Sequence, residues 1–220
     1  GAAEWTMRDL GIEPTGWRPY TNTVETLKAM RSLLAGRPLG FTPTTFIASP
    51  EVRLDCPIPG TVPLDLGAVN ARMLEAAGAH ADGVQLGAIT SVGYTRWAAG
   101  RVKRGAALAG RDPAEVLLSA NVLTSVDSDR QAARNAVREV LAYYLARVEG
   151  VVIEESGADD DHIAQVRQAV ARDGVVAGAS AVSEPLIDTF SVAGTPHDVV
   201  EGLAIYGEAG LQMPLAWYTF

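Results

Sequence analysis

The residues best placed to do chemistry in this 220-residue sequence lie in one short stretch, Pro63-Leu64-Asp65-Leu66-Gly67-Ala68-Val69-Asn70-Ala71, followed by Arg72. An apolar run passes through small residues directly into a helix start. Small residues let a ligand approach the backbone. The first N–H groups of a helix, here near Ala71 and Arg72, have no acceptor within the helix and favour an anion such as a phosphate. Arg72 adds a positive charge. The same residues also read as an ordinary strand-to-helix turn capped by Asn70.

Other candidates have structural readings beside the chemical ones. Asp82 is a possible catalytic carboxylate, but Asp82-Gly83 also suits a tight turn before a buried strand. His80 falls at a helix end, where the dipole favours a cation. His162 follows Asp159, Asp160 and Asp161 at a helix start, a pattern of solvated acids as much as of metal ligands. His197 follows Thr195-Pro196. No histidine has a second one at metal-ligand spacing, so no metal is expected. Trp5, Trp17, Trp97 and Trp217 are candidates for stacking on an aromatic cofactor or for core packing, with Trp217-Tyr218 best placed to line a pocket. Cys56, before Pro57, reads as a structural thiol. The sequence contains neither Gly-x-Ser-x-Gly nor Gly-x-x-x-x-Gly-Lys.

The elements that must position these residues alternate apolar runs with amphipathic helices. Helices are predicted over Asn22–Ala35 with Gly36 as a stop, Ala71–Ala79 with Leu74 and Ala77 inward, and Tyr94–Ala109 stopped by Gly110 and Arg111-Asp112-Pro113. A long helix is predicted from a cap at Asp127 or Ser128 to Val148, and others over Asp159–Arg172 and after Thr195-Pro196, closed by Gly210. Strands are predicted over Val62–Leu66, Gly83–Leu86, Val116–Val126 and Leu211–Phe220. A further short strand is expected near Phe46, within a Pro-, Thr- and Gly-rich excursion over Arg37–Gly60. Strand–helix–strand alternation indicates parallel β in an α/β fold. A (β/α)8 barrel needs eight strands and about 250 residues. Two architectures remain open on pattern alone: roughly the second half of a barrel, or an open sheet of four or five strands.

Composition narrows the function. Hydrophobic residues make up 48% of the chain, enough for one large core. A net charge of -8 disfavours nucleic acid and anionic membranes as partners. A single cysteine allows no internal disulfide and fits a reducing, cytoplasmic setting. No apolar run has the length of a membrane span, and no signal peptide is visible. A first residue Gly1 in place of Met reads as processing, truncation or partial coverage.

Several segments, in order along the chain, resemble the luciferase-like superfamily of flavin- and deazaflavin-dependent oxidoreductases. They are Asp9-Leu10-Gly11-Ile12-Glu13, Ala29-Met30-Arg31-Ser32-Leu33-Leu34-Ala35-Gly36, Met73-Leu74-Glu75-Ala76-Ala77-Gly78, Ala81-Asp82-Gly83, Gly105-Ala106-Ala107-Leu108-Ala109-Gly110-Arg111-Asp112-Pro113, and Phe190-Ser191-Val192-Ala193-Gly194-Thr195-Pro196. Within that superfamily they look closest to coenzyme F420-dependent methylenetetrahydromethanopterin reductases. The resemblance implies a TIM barrel whose N-terminal strands lie outside this chain, with residues 1–220 forming a single domain, its C-terminal portion. It implies a cofactor, F420 or alternatively FMN, at the C-terminal ends of the strands. It places the cofactor phosphate at Gly67, Ala68, Val69, Asn70, Ala71 and Arg72, although the family often has Gly-Pro where this chain has Val69-Asn70. It matches Gly1 and Ala2 to the end of a second cofactor-lining turn. Catalytic residues are not assigned, because the family sets much of its substrate pocket, and a strained peptide beside the cofactor ring, before that turn.

The expected function is hydride transfer between F420 and a small organic substrate by a homodimer. The alternatives are an FMN-dependent monooxygenase, or a non-catalytic truncated barrel that keeps only a cofactor-binding scaffold. Alone, the 220-residue piece is expected to be inactive, because half a barrel leaves open sheet edges.

Overall fold

A computed structural model describes residues 10, 11, 13, 18–56, 58, 60–148 and 150–218. The described strands are β1 (Asp65–Gly67), β2 (Gly83–Gln85), β3 (Leu117–Val126), β4 (Ser191–Gly194) and β5 (Met213–Tyr218). Every pairing is parallel. β3 is the hub. Ser119 is in register with Gln85 of β2 and with Met213 of β5, so these two strands flank β3 on opposite sides. Leu123 and Thr124 are shared in the same way by β4 and β5. β2 and β4 therefore follow one another along a single side of β3.

The helices are α1 (Pro19–Leu34), α2 (Ala71–His80), α3 (Val92–Leu108), α4 (Arg130–Ala136), α5 (Arg138–Leu145), α6 (Val151–Glu154), α7 (Asp160–Gly178), α8 (Glu184–Phe190) and α9 (Pro196–Glu208). Their apolar faces and the strands share one buried cluster, in which Leu74, Val84, Tyr94, Val122, Leu141, Ile187 and Phe190 are almost wholly enclosed. Burying each large apolar side chain contributes about 1.5–3 kcal/mol.

The glycine stops act as expected. Gly36 takes φ +68° after α1, its N–H reaching Leu33 O while Arg37 N–H reaches Ser32 O. That pair of bonds satisfies the last carbonyls of the helix. Gly110 ends α3 with the same pattern, and it aims the next residue usefully: Arg111 donates to Gly78 O at 2.9 Å and Ala81 O at 2.7 Å.

Other expectations need correction. The predicted long helix is two, α4 and α5. Its cap is Asp129, whose carboxylate accepts from Gln131 and Ala132 N–H. Asp127 is engaged earlier, its own carboxylate taking Asp129 N–H at 2.8 Å. At Val137 ψ opens to -13°, interrupting the helix for one residue, while Ala133, Val137 and Leu141 stay on the buried face. The helix predicted to end at Arg172 breaks at Gly174, whose φ of 84° is not helical, and then resumes to Gly178. α8 and β4 are too short to leave a periodic signal. The first strand begins at Asp65 because Leu64 N–H is held by the Asp82 carboxylate at 2.8 Å and is not free to pair along the sheet.

No strand forms near Phe46 among the described residues. The backbone N–H groups that would pair there are donated to Glu25 of α1. Its carboxylate accepts from Thr44 and Thr45 through both their N–H and their hydroxyl groups, at 2.7–3.0 Å. The Thr45 hydroxyl is the main cause that lowers the Glu25 pKa from 4.5 to about 2, with the other three donors adding to it against the opposing effect of burial. A depressed pKa means that the latch is fully made above the unfolded value of 4.5 and is lost as pH falls through about 2. Glu25→Ala is therefore expected to raise the rate of proteolytic cutting within residues 41–49 several-fold at neutral pH. The unsubstituted latch should resist cutting equally at pH 7 and pH 5. Equal cutting rates for the variant and the parent would show that Glu25 does not restrain the segment.

Candidate functional site

Parallel strands put all their C-terminal ends on one side of the sheet. The turn from Gly67 to Arg72 lies on that side, directly after β1. Gly67 is exposed, and a Cβ built on it would meet nothing within 4 Å. Ala68 is buried, its N–H bonded to Gln85 O of β2 at 3.0 Å. Val69 O accepts from the Tyr94 hydroxyl at 2.9 Å. Tyr94 comes from the first turn of α3, which is capped by the Ser91 hydroxyl, and it is completely enclosed. Burial raises the pKa of its phenol, so it remains a donor at physiological pH.

Asn70 occupies the cap position of α2 in extended conformation, but its side chain makes no capping bond. The expected side-chain cap is thus absent, and the Asn70 amide is exposed, with no partner among the described residues. Its carbonyl takes Met73 and Leu74 N–H. Among the described residues, the N–H groups of Asn70, Ala71 and Arg72 meet no protein acceptor. Arg72 is held with its guanidinium 3.9 Å from the Tyr20 ring centroid, in α1. A cation–π contact of this kind fixes the charge beside the start of α2.

The other end of α2 is treated differently. Arg31 donates to His80 O at 3.0 Å, and Arg111 donates to Gly78 and Ala81 O. Two guanidinium groups thus satisfy the helix C-terminus, while the N-terminus keeps open donors. Burial first, then the nearby charges of Lys28, Arg111 and Arg31, pushes His80 toward its neutral form. That outweighs the dipole effect expected from the sequence.

Asp82 lies in the bend before the buried strand β2, as the turn reading has it, and is tied to its neighbours there. It forms an ion pair with Arg31 at 3.0 Å and holds Leu64 N–H. Burial pushes its pKa up, and the Leu64 and Arg31 bonds and the Arg31 and Arg111 charges outweigh that, so it stays ionised. His162 meets Ser183, its Nδ1 3.2 Å from that hydroxyl, and exposed His197 lies 3.6 Å from Glu201. Trp217 packs edge-on against Tyr144 of α5 at 5.4 Å. Trp97 stacks on Tyr94. Cys56 is exposed and so does not serve as a buried structural thiol. Gly1, Ala2, Trp5 and Trp17 lie outside the described residues. A hollow between α4, α8 and α9 contains Arg130 and Arg134, but both are paired, with Asp198 and with Glu184 and Asp188.

The residues that hold the two ends of α2, Tyr94 at the turn before it and Arg111 at its C-terminus, carried no signal in the sequence. Each reaches its partner across 25 or more positions, beyond any local pattern.

A wholly parallel sheet covered by helices, with helix starts at its C-terminal edge, defines an α/β protein of the class to which the barrel folds belong. The luciferase-like monooxygenase family model matches residues 10–213, and the chain belongs to that family. It is 32% identical over 184 residues to 5,10-methylenetetrahydromethanopterin reductase of Methanolobus tindarius, covering 82% of this chain and 55% of that protein. It is 31% identical over 218 residues to the protein of the same name from Archaeoglobus fulgidus, covering 96% of this chain and 63% of that one. The chain thus spans less than two thirds of the length of these relatives. The solved structure of coenzyme F420-dependent tetrahydromethanopterin reductase from Methanopyrus kandleri superposes with a TM-score of 0.85 at 24% identity, covering 97% of this chain and 65% of that one. The fold is therefore the parallel α/β fold of the luciferase-like barrels, as the resemblance implied.

Proposed function

We propose that the protein is an oxidoreductase that transfers hydride between coenzyme F420 and a small organic substrate, in the manner the methylenetetrahydromethanopterin reductases are named for. The observation that carries this reading is the turn from Gly67 to Arg72. Three successive backbone donors and a fixed guanidinium meet no protein acceptor there among the described residues, at the C-terminal edge of the sheet. That donor set fits a phosphate. Gly67 and Ala68 would allow close approach, Asn70, Ala71 and Arg72 would hold the anion, and the Asn70 amide would give a further hydrogen bond. When bound, the deazaflavin ring supplies the hydride chemistry, and the chain supplies orientation and charge.

The reading takes residues 1–220 as one domain, the C-terminal portion of the barrel, with Gly1 and Ala2 on a neighbouring cofactor turn. It takes the protein as a cytoplasmic homodimer. The lone free thiol supports a reducing compartment. Among the described residues no helix is long and apolar enough to cross a membrane.

Titration of the full-length gene product with F420 and, separately, with FMN tests this, with fluorescence as the readout. Saturable 1:1 binding of F420 and little of FMN is expected. Tight FMN binding would replace the reductase reading with a flavin monooxygenase, and binding of neither would leave a scaffold without a cofactor.

A further inference from the structure

The Tyr94 hydroxyl is enclosed, and its partner is the carbonyl of Val69, in the turn. None of the described peptide bonds is cis. In a trans peptide the N–H points opposite to the C=O. Drawing Val69 O inward to Tyr94 therefore turns Asn70 N–H outward, on the exposed side of the turn. Without that bond the peptide is free to rotate, which would present a carbonyl oxygen to an incoming anion.

We infer that Tyr94 is a positioning residue for the phosphate-bearing part of the cofactor. It orients the Val69–Asn70 peptide so that Asn70 N–H joins those of Ala71 and Arg72 as three donors facing one way. The inference rests on the proposed function and adds to it a residue that never touches the ligand. The surroundings make the bond rigid. Ser91 holds the Tyr94 N–H at 3.1 Å, Trp97 stacks on the ring, and a Cβ on Gly87 would lie only 3.3 Å from the Val69 side chain. The turn is packed from below and bonded from one side, so only its outward face is open.

The experiment uses the full-length protein and pairs of ligands that differ in the phosphate: FMN against riboflavin, and F420 against its phosphate-free deazaflavin. Tyr94→Phe keeps the ring and removes the bond. Its preference for the phosphate-bearing partner is expected to fall about tenfold, the size of one charge-assisted hydrogen bond. Tyr206→Phe is the control, since it also removes a buried hydroxyl, which donates to Thr90 O at 3.2 Å and makes no bond to the turn. It should leave the preference unchanged. Normal cofactor binding with an undiminished preference in Tyr94→Phe would overturn the inference and spare the proposed function. Failure of the parent protein to bind either cofactor would overturn both. Amide exchange gives a second readout, independent of whether the variant folds. In the unliganded parent, Asn70 N–H should exchange as freely as Ala71 N–H, and all three should slow on addition of the cofactor. A protected Asn70 N–H before addition would also overturn it.

Discussion

Gly105→Ala is expected to destabilise the protein by about 3 kcal/mol, lowering the thermal midpoint by roughly 10 °C. A Cβ at Gly105 would lie 2.0 Å from Glu75 O and 2.6 Å from Glu75 C and Cα. These are backbone atoms of α2 and cannot swing aside as a flexible side chain would. The same contact is built from the other side, where a Cβ at Gly78 would lie 2.1 Å from Val102 O. The two helices approach through a pair of glycines, and a methyl group on either must push α2 away from α3. The site depends on that spacing, because Tyr94 in α3 bonds the turn that starts α2. Cofactor affinity should therefore fall with stability. Gly100→Ala, in the same helix but in open space, is the comparison. It should be neutral or stabilising by up to about 1 kcal/mol. Denaturant unfolding of the two variants decides the matter, and similar midpoints would refute the packing argument.

Gly67→Val should have the opposite profile. The position lies at the end of β1, exposed, with room for a Cβ and no need for positive φ. The fold should tolerate the change, with a thermal midpoint close to the parent's. If the cofactor rests against this backbone, two added methyl groups stand where it must approach. Affinity for F420 is then expected to fall roughly 30- to 100-fold, equivalent to about 2–3 kcal/mol. Unchanged affinity in a well-folded Gly67→Val protein would move the cofactor elsewhere on the face.

Local features were legible in the sequence where local chemistry decides them. Gly36 and Gly110 end their helices because only glycine is comfortable at the left-handed position beyond a helix. Thr195 caps α9 as expected, and with Asp198 it completes a reciprocal capping box. Leu74 and Ala77 face inward because their spacing matches a helical turn. Choices between equivalent residues were not legible. Asp127, Ser128 and Asp129 are all good caps, and what decides for Asp129 is that Asp127 is tied by its N–H to Gly194, in a strand 67 positions away. Glu25 gave no sign that it would take the donors of Thr44 and Thr45, which is why a strand near Phe46 was expected. At the site, the small-residue turn was readable from its own composition. Tyr94, which bonds the turn, and Arg111, which bonds the far end of α2, were not, because their partners are distant in sequence. The family-like segments supplied the barrel topology, for which strand patterns alone were insufficient.

The ladder between β3 and β5 has a consequence for how the chain finds its fold. Ser119 meets Met213, and Leu118 N–H is held by the Gln212 side chain, 94 positions away. Everything from α4 to α9 is thus a loop that this ladder closes. Chain-closure entropy grows only slowly with loop length, so residues added within that loop cost little at equilibrium. The price is kinetic: a ladder between such distant segments forms late and makes folding slow. β3 is the first of its two strands to be synthesised, and it waits for β5 with its central backbone groups unpaired on that side.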